Sequence, residues 1–561
     1  MIILSLNALS YGRSIVFLLL FLFGITLMEI GSVQKKGTYG VILINTMTAC
    51  VSVLAFWLIG TGFAYGHGNA FGGMFDFFSF GDYSESFPPD VPIQMIILRG
   101  GLLTAIISAA VNGSLAERVR PAAMVFFSGM NASVAAPIVL HWEFSGFLQK
   151  MGIVDESNLL TLGIAACAGA IPFMMKVGPR THRFSQAGTP KAIPPQDMVV
   201  AFAGKLLMAI GIAGLIDPAL AGAGEVLTLA LSMAAAGITT TVVTSVRYEQ
   251  IDIAVVVDSM LTAELAVSAC ATNLNPFAAL LCGIIVGFVI VFVIETVEIR
   301  LRLDDPSGTV AIYGTASVIG ILFAGLFSRS GGVIYTESGM AFAAAIFGIL
   351  LAAAYLTGLS GLAVLLSHVF FGTRLSPEAE SVGLGHVSHG MSHDYLDFFK
   401  ASNAPGGAST IVEDVATHDV PVDAAIPIED ETEPAEAKPK KQRLTRVQII
   451  CRENTFEDLK EAMNRIGVTG MTVSHVLGCG QQKGAAEYYR GIPLEIQLLP
   501  KIQVDIVLAK VPVDLVVNTA RQTLYTGHIG DGKIFISDVR EAVKVRTGET
   551  GVAAMQGVDI V

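Results

Sequence analysis

Five ionisable side chains lie within stretches of sequence that are otherwise apolar: Glu29, Arg99, Lys205, Asp258 and Glu264. A charge at the centre of a bilayer costs about 2.5–3.5 kcal/mol on insertion scales, so such groups usually pair or line a wet cavity. Arg99 with Glu264 or Asp258 is a candidate buried pair. A structural ion pair that locks adjacent helices is one interpretation, and a ligand or ion site is the other. Lys205 can also extend its ammonium group to the end of its helix.

A second group of residues suited to chemistry lies near the C-terminus. The segment GHIGDGK, residues 527–533, is dense in glycine and can bring backbone N–H groups close to phosphate oxygens. Lys533 and Arg546 supply positive charge beside it. This pattern predicts a nucleotide site.

The apolar part of the chain must form membrane helices. Of the 561 residues 53% are hydrophobic and 15% are charged, and the mean hydropathy is +0.63, which is too apolar for a soluble protein. Up to about residue 372, apolar runs are long enough to cross a hydrocarbon core of about 30 Å. We predict eleven spans, near residues 12–32, 41–64, 95–115, 121–140, 158–176, 197–216, 225–245, 252–271, 276–298, 308–328 and 337–371.

The basic residues between these spans fall in alternate loops. By the positive-inside rule, the N-terminus is expected outside and the C-terminus in the cytoplasm, and an odd number of spans predicts the same. The loop-borne basic residues are Lys35, Lys36, Arg118, Arg120, those of 176–191, Arg247, Arg300 and Arg302.

The cysteine spacing, the lack of catalytic motifs and the net charge each disfavour a class of protein. Six cysteines are scattered without CxxC or Cys/His pairing, so we expect neither a structural metal site nor a disulfide framework. We find no nucleophile–base or metal constellation, so an enzyme is not expected. The net charge is −12, and no nucleic-acid partner is expected.

Ordered motifs in the apolar half resemble the ammonium transporter (Amt/Mep/Rh) family. They are FWLIGTGFAYGHGNAFGG (56–73), NGSLAERVRPAA (112–123), HWEFSGFLQKMGIVD (141–155), LRLDDPSGTVAIYGTASVIGILFAGLFS (301–328) and the tail GTRLSPEAESVGLGHVSHGMSHDY (372–395). The resemblance implies a homotrimer with a narrow apolar pore in each protomer. It also implies recognition of ammonium on the outer side, two stacked phenylalanines below it, and two facing histidines in mid-membrane.

This sequence departs from that family at the positions that would carry the chemistry. The first histidine position corresponds to Leu162 or Gly163, and the second to Tyr313. A phenol fills volume and donates one hydrogen bond, but it does not exchange protons near neutral pH. We therefore expect Tyr313 either to plug the pore, hydrogen-bonded to a neighbour, or to contact a ligand.

The other pore positions also differ from the family pattern. The stacked phenylalanines correspond to Arg99 and Leu103, and the outer tryptophan to Phe144 or Trp142. The residues assigned to the pore are Arg99, Leu103, Phe144, Asp155, Leu162, Glu264 and Tyr313.

The C-terminal part is a separate domain. We predict a membrane domain over 1–398, an acidic, Pro/Ala-rich disordered linker over 399–442 and a signalling domain over 443–561. Four β-like runs and two amphipathic helices in the last segment follow a β-α-β-β-α-β order, which is typical of a ferredoxin-like α+β fold. Residues 464–484, 488–491, 498–507, 527–537 and 543–551 resemble the PII nitrogen-regulator family closely.

The PII resemblance implies small-molecule effectors. It implies ATP or ADP with Mg²⁺, and 2-oxoglutarate bound through Gln482 and Lys501. It also implies a mobile T-loop over 480–498, whose Arg490, beside Tyr489, enters the cytoplasmic mouth of a channel. The implied nucleotide contacts are Thr472, Gly530, Asp531, Gly532, Lys533, Lys544 and Arg546.

Together these observations predict a membrane protein of the bacterial inner (plasma) membrane with a cytoplasmic PII domain that docks on its own membrane domain. One hypothesis is a transporter of ammonium or a related small solute, gated by PII. The alternatives are a non-conducting receptor and a pore of altered selectivity, because both histidine positions are changed.

Overall fold

The computed structural model describes most of two segments of the chain. The first is 6–382 without 75, 77, 82, 84–86, 88–89, 182, 185–188 and 221–223. The second is 444–555 without 453–454, 469, 479–486, 490–491, 495–498, 510, 526–531 and 546–547. The first segment lies in one compact unit, and the second segment, apart from 487–494, lies in another. The predicted linker lies outside the described residues, and the exact domain boundaries remain predictions.

The first unit is a bundle of helices. Helices lie at all eleven predicted span positions. The helices are α1 Leu6–Ser32, α2 Thr38–Ala55, α3 Thr61–Tyr65, α4 Ile93–Leu115, α5 Pro121–Met130, α6 Ala136–Phe144, α7 Phe147–Lys150, α8 Leu159–Val177, α9 Met198–Ile212, α10 Glu225–Tyr248, α11 Ile253–Ser268, α12 Pro276–Glu295, α13 Thr315–Phe327, α14 Val333–Thr336, α15 Met340–Phe371 and α16 Pro377–Val382. A two-residue hairpin of β1 (Gly68–Asn69) and β2 (Gly72–Gly73) follows α3.

Several helices run on through π-helical turns. Within the described residues these turns are Phe56–Gly60, Asn131–Ala135, Thr296–Arg300 and Val310–Gly314. With the turns included, nine described helices are long and apolar enough to cross a membrane. Helices α9 and α11 have only 15 and 16 residues, so the count of eleven spans stays a prediction.

Glycine allows the closest helix contacts in this bundle. Helix α1 packs along α9, and a Cβ added at Gly204 would lie 2.2 Å from the backbone nitrogen of Met28. A Cβ added at Gly24 would lie 2.7 Å from the carbonyl oxygen of Gly204. Small residues at such crossings allow van der Waals packing between helices in lipid.

The second unit is built on a four-stranded antiparallel sheet. Its strands are β3 Leu444–Cys451, β4 Thr472–Gly478, β7 Leu499–Leu508 and β8 Lys533–Val539, in the order β4-β7-β3-β8. Helix α17 (Phe456–Arg465) follows β3, and helix α18 (Val513–Leu524) follows β7. The predicted β-α-β-β-α-β order is confirmed.

Alternation along the strands explains how this second core forms. On β3, Val447, Ile449 and Cys451 are buried while Arg446 is exposed. The buried side packs with Leu459 of α17 and with residues of α18, as expected for a sheet with one covered face. A short hairpin of β5 (Glu487–Tyr489) and β6 (Ile492–Leu494) lies between β4 and β7 in sequence.

Candidate functional site

A cavity of about 310 Å³ lies at one end of the helix bundle, where α1, α4 and α8 begin and α6 ends. We call this cavity the vestibule. It combines four carboxylates with one guanidinium and an aromatic wall, which suits a small cation. Its charged and aromatic lining consists of Tyr11, Tyr65, Phe87, Arg99, Glu143, Phe144, Asp155, Glu156 and Asp217.

Arg99 lines the vestibule and donates hydrogen bonds to three other segments of the bundle. Its Nη2 donates to the carbonyl oxygen of Leu215 at 2.7 Å. Its Nε donates to Ser14 Oγ and its Nη1 to Asn158 Oδ1, both at 3.3 Å. The half-buried guanidinium is therefore held mainly by neutral oxygens.

The predicted pairing of Arg99 with Asp258 or Glu264 is wrong. Asp258 instead forms an ion pair with Lys205 at 2.5 Å, because α9 packs directly against α11. Lys205 therefore binds a partner inside the bundle. Glu264 is buried on α11, and its Oε2 has no hydrogen-bond partner among the described residues. Its assignment to the pore remains a prediction.

Two vestibule carboxylates are anchored on the N-terminus of α8. Asp155 accepts hydrogen bonds from the backbone N–H groups of Leu159 at 3.0 Å and Leu160 at 2.8 Å. Glu143 accepts from the N–H of Thr161 at 3.0 Å and from its hydroxyl at 2.8 Å. The first N–H groups of a helix have no partner within the helix, and the positive end of its dipole favours negative charge.

Burial makes part of this charge sensitive to pH. It raises the pKa of Asp155 to about 6, although the backbone N–H donors act in the opposite direction. Burial likewise raises the pKa of Glu156. The negative charge of Asp155 is therefore lost as the pH falls through about 6.

Aromatic rings form the apolar wall of the vestibule. Phe87 and Phe144 are stacked with centroids 4.8 Å apart. Tyr65 meets both rings edge-on, at 5.0 Å from Phe87 and 5.4 Å from Phe144. Phe144, one of the two residues predicted for the outer aromatic position, is thus in the vestibule, whereas Trp142 is buried with its indole N–H bonded to the carbonyl oxygen of Phe71.

The mid-bundle positions are filled by tightly packed side chains. Leu103, Leu162 and Tyr313 are 3%, 0% and 1% exposed and belong to the main apolar core. Tyr313 lies in the π-helical turn Val310–Gly314. Its hydroxyl has no hydrogen-bond partner within the described part of the chain, so the hydrogen-bonded neighbour predicted for it is not found there. At the alternative position, Gly163, an added Cβ would overlap Ser317 Oγ at 1.7 Å.

An ion cluster that the sequence analysis missed lies at the opposite end of the bundle. Asp304 accepts from Arg180 Nε at 2.9 Å and Nη2 at 3.0 Å. It also contacts Arg118 at 3.3 Å and Arg183 at 3.4 Å. Burial favours the neutral acid, but the three guanidinium groups outweigh it and hold the pKa of Asp304 well below its usual range.

The sequence carried a signal for this cluster. The positive-inside rule uses these arginines only as markers of orientation, whereas the acidic pair 304–305 offers them a partner. The two adjacent acids have different partners. Asp304 binds the arginines, whereas Asp305 accepts from the backbone N–H groups of Thr309 at 3.0 Å and Val310 at 2.9 Å and so stabilises the start of the next helix. Asp305, and not Asp304, is therefore the acid whose negative charge lies at the N-terminus of that helix.

In the second unit the predicted nucleotide residues lie apart. Thr472 is the first residue of β4, and Lys533 is the first residue of β8. These strands are the two edges of the sheet, so they lie about 14 Å apart at the usual strand spacing. Lys544 contacts Glu549 at 3.3 Å, and Gly532 has φ 134°, a conformation that glycine tolerates.

The remaining predicted effector residues are placed only in part. Lys501 lies on β7, paired with Val476 of β4, and Tyr489 of β5 pairs with Ile492 of β6. Gln482, Arg490, Gly530, Asp531 and Arg546 lie outside the described residues.

Known families match both units. The family model described as Ammonium Transporter Family matches residues 13–394, and the Nitrogen regulatory protein P-II model matches 444–549. A solved "Sensor Amt Protein" is similar with a TM-score of 0.65 and 22% identity over 68% of this chain and 98% of that chain. Mep2 of Saccharomyces cerevisiae has a TM-score of 0.59 and 19% identity over 66% of this chain and 88% of its own.

Sequence relatives match the second unit. The nitrogen regulatory PII-like protein of Bacillus subtilis (strain 168) is 43% identical over 113 residues, which cover 20% of this chain and 97% of that protein. GlnK of Escherichia coli (strain K12) is 41% identical over 109 residues, covering 19% and 97%.

The fold and the vestibule define a polytopic helical membrane protein that carries a ferredoxin-like domain at its C-terminus. The chain belongs to the ammonium transporter family, and its C-terminal domain belongs to the PII nitrogen regulatory proteins. The fold class predicted from the sequence is thereby confirmed.

Proposed function

We propose that the membrane domain recognises ammonium in the vestibule and signals its presence to the fused PII domain without conducting it as a channel. The observation that carries the proposal is the packing of Leu162 and Tyr313 into the apolar core at the positions expected for proton-carrying histidines. An aliphatic side chain and a phenol do not pass protons near neutral pH.

The composition of the vestibule supports recognition of a cation. Glu143, Asp155, Glu156 and Asp217 outnumber the single guanidinium of Arg99, so the local field attracts positive charge. The Phe87–Phe144 stack and Tyr65 offer π-faces, against which an ammonium group gains about 0.5–2 kcal/mol. Because the guanidinium is bound by neutral oxygens, no ion pair with it among the described residues neutralises the vestibule carboxylates.

The PII domain is the proposed reporter. We assign ATP or ADP, with Mg²⁺, to the implied set around Thr472, Gly532 and Lys533, and 2-oxoglutarate to Gln482 and Lys501. The placement of Thr472 and Lys533 on opposite sheet edges supports a nucleotide site shared between two copies. Such sharing fits a homotrimer, in which a three-fold membrane domain and a three-fold cytoplasmic cap share one axis.

Coupling would follow from the T-loop. ATP with 2-oxoglutarate holds the loop away, while ADP lets Arg490 approach the cytoplasmic side of the membrane domain. The linker makes this docking intramolecular, at an effective concentration in the millimolar range. In this arrangement the N-terminus is outside and the PII domain is in the cytoplasm of a bacterium.

Conduction in proteoliposomes tests the proposal. The full chain, reconstituted at known density, should give no ammonium-induced current above that of empty liposomes. A conducting member of the family, reconstituted in parallel, supplies the positive control. A robust current from the unmodified protein would contradict the receptor function and favour a transporter gated by PII.

A further inference from the structure

An exposed aromatic segment follows the hairpin of β1 and β2, at the same end of the bundle as the vestibule. It consists of residues 78–81, Phe-Ser-Phe-Gly, and is called the aromatic loop. Phe80 is 85% exposed and Phe78 is 45% exposed, and their ring centroids lie 5.9 Å apart. Large apolar side chains that are exposed next to one another mark a surface for a protein partner, a ligand or a membrane.

The aromatic loop is bound to the side of a helix, well before the end of that helix. Helix α2 runs on through a π-helical turn into α3, which ends at Tyr65. The backbone N–H of Phe78 donates to the carbonyl oxygen of Leu58 at 2.9 Å. The hydroxyl of Ser79 donates to the carbonyl oxygen of Trp57 at 2.9 Å. Trp57 lies eight residues before Tyr65, so the chain folds back along the helix by roughly 10–12 Å.

The helix that carries the aromatic loop places it at the edge of the hydrocarbon core. Residues 35–65 form a helix that is long and apolar enough to cross a membrane. From Thr38, where α2 begins, to Trp57 the helix rises about 28 Å, close to the hydrocarbon thickness of about 30 Å. Exposed apolar side chains follow one side of this helix up to that level: Ile42, Met47, Leu54 and Trp57. Phe78 continues this side, with its ring edge-on to Trp57 at 5.5 Å.

Polar contacts within the protein hold the aromatic loop in its shape. Phe78 and Ser79 have φ values of 58° and 56°, in the left-handed region that is costly for residues other than glycine. Asp76 Oδ2 accepts from the N–H of Gly81 at 2.8 Å and from the hydroxyl of Tyr83 at 2.5 Å. Because Tyr83 is buried, these bonds tie the loop to the protein while its two phenylalanine rings stay exposed.

We propose that the aromatic loop inserts Phe78 and Phe80 into the phospholipid on the vestibule side of the membrane, at the boundary between head groups and acyl chains. Aromatic side chains are enriched at this boundary, and inserting the two rings removes their apolar surface from water. Backbone polar groups inside lipid need partners, and the bonded N–H groups of Phe78 and Gly81 meet part of that need. The inference does not depend on ammonium recognition and adds a lipid contact to the proposed function.

Quenching of tryptophan fluorescence by brominated lipid tests the insertion. The chain has two tryptophans, so the parent variant is Trp57→Phe, which keeps only the buried Trp142. Phe80→Trp is added to this parent, and the full chain is placed in phosphatidylcholine nanodiscs whose acyl chains are either unmodified or brominated near the head group. We expect brominated lipid to reduce the fluorescence added by Phe80→Trp at least twofold, because bromine quenches an indole ring only on close contact.

Tyr525→Trp in the same parent is the matched control. Tyr525 is 77% exposed in the second unit, in which none of the described helices is long and apolar enough to cross a membrane. Its fluorescence should be quenched by iodide in the water and left unchanged by brominated lipid. Brominated lipid that quenches Phe80→Trp no more than Tyr525→Trp would overturn the inference, and it would place the aromatic loop in water or against another protein surface. If Phe80→Trp fails to fold, Phe78→Trp in the same parent gives the same readout.

Discussion

At the scale of single residues, the proposed lack of proton transfer through the membrane domain rests on Leu162 and Tyr313. Both side chains are packed among apolar neighbours, so neither position offers a group that donates and accepts near neutral pH. Leu103, on α4, is equally buried. The mid-bundle is therefore filled at these three positions by side chains without a group that titrates near neutral pH.

Installing imidazoles at both positions should open a proton path. In Leu162→His with Tyr313→His, we expect ammonium-induced current in proteoliposomes at least fivefold above the unmodified protein, because paired imidazoles exchange protons near neutral pH. The matched control is Leu162→Asn with Tyr313→Phe, which alters the same packing without a titratable ring. Equal currents in the two double variants would show that loosened packing, and not proton transfer, limits conduction.

Asp155 should make vestibule binding depend on pH. Its pKa of about 6 means that the carboxylate is ionised above pH 6 and becomes neutral below it. We therefore expect methylammonium affinity to fall as pH is lowered from 7.5 to 5. In Asp155→Asn the affinity should be weaker at pH 7.5 and should change less with pH, while the amide oxygen can still cap α8. An unchanged pH profile in this variant would assign the titration to another group.

At the scale of elements, the loops at the end opposite to the vestibule are joined by ions and by the segment after α15. Arg374 donates to the carbonyl oxygen of Val177 at 2.9 Å, and Glu380 accepts from the N–H of Thr181 at 2.7 Å. Both contacts connect the residues around α16 to the loop after α8. Asp304 lies at the centre of the neighbouring arginines.

Removing the charge of Asp304 should strongly destabilise the membrane domain. Arg118 is 0% exposed, and breaking a buried pair by removing one partner costs about 3–5 kcal/mol. We expect Asp304→Asn to lower the thermal unfolding midpoint in detergent by several degrees or to abolish folding. Glu295→Gln, which removes a partner of the partly exposed Arg247, should lower the midpoint far less, because water screens an exposed pair. Similar losses in the two variants would mean that burial does not set the cost.

At the scale of the whole molecule, the proposal makes ammonium and nucleotide effectors of one another. If methylammonium changes the affinity for ATP by some factor, ATP must change the affinity for methylammonium by the same factor. Calorimetry on the full chain in nanodiscs, with each ligand titrated in the presence and absence of the other, measures both. We expect equal factors of about 5–150, the range of typical couplings.

Variants of the PII domain test whether this coupling depends on nucleotide binding in that domain. Lys533→Ala should weaken ATP binding at least tenfold and so remove the effect of ATP on methylammonium. Lys460→Ala, on the exposed side of α17, is the control and should leave both affinities unchanged. Independent binding of the two ligands to the unmodified protein would contradict the coupling.

The sequence by itself determined the elements of this protein. Span positions and the β-α-β-β-α-β order follow from apolar runs and from alternation, which are local properties of the chain. Phe144 could be placed near the vestibule from the motif order. Helix pairing could not be obtained in this way, because contacts between distant segments depend on which helix faces meet.

Only the tertiary structure decided how the buried charges are partnered. Asp258 binds Lys205 and not Arg99 because α9, and not α4, packs against it. Glu29 accepts from Asn45 of α2, which lies 16 residues away in sequence, and Asn45 in turn accepts from Asn112 of α4, a further 67 residues away. A buried charge takes the partner that the packing brings within a few ångströms, and hydropathy, which sums residues along the chain, carries no information about that distance.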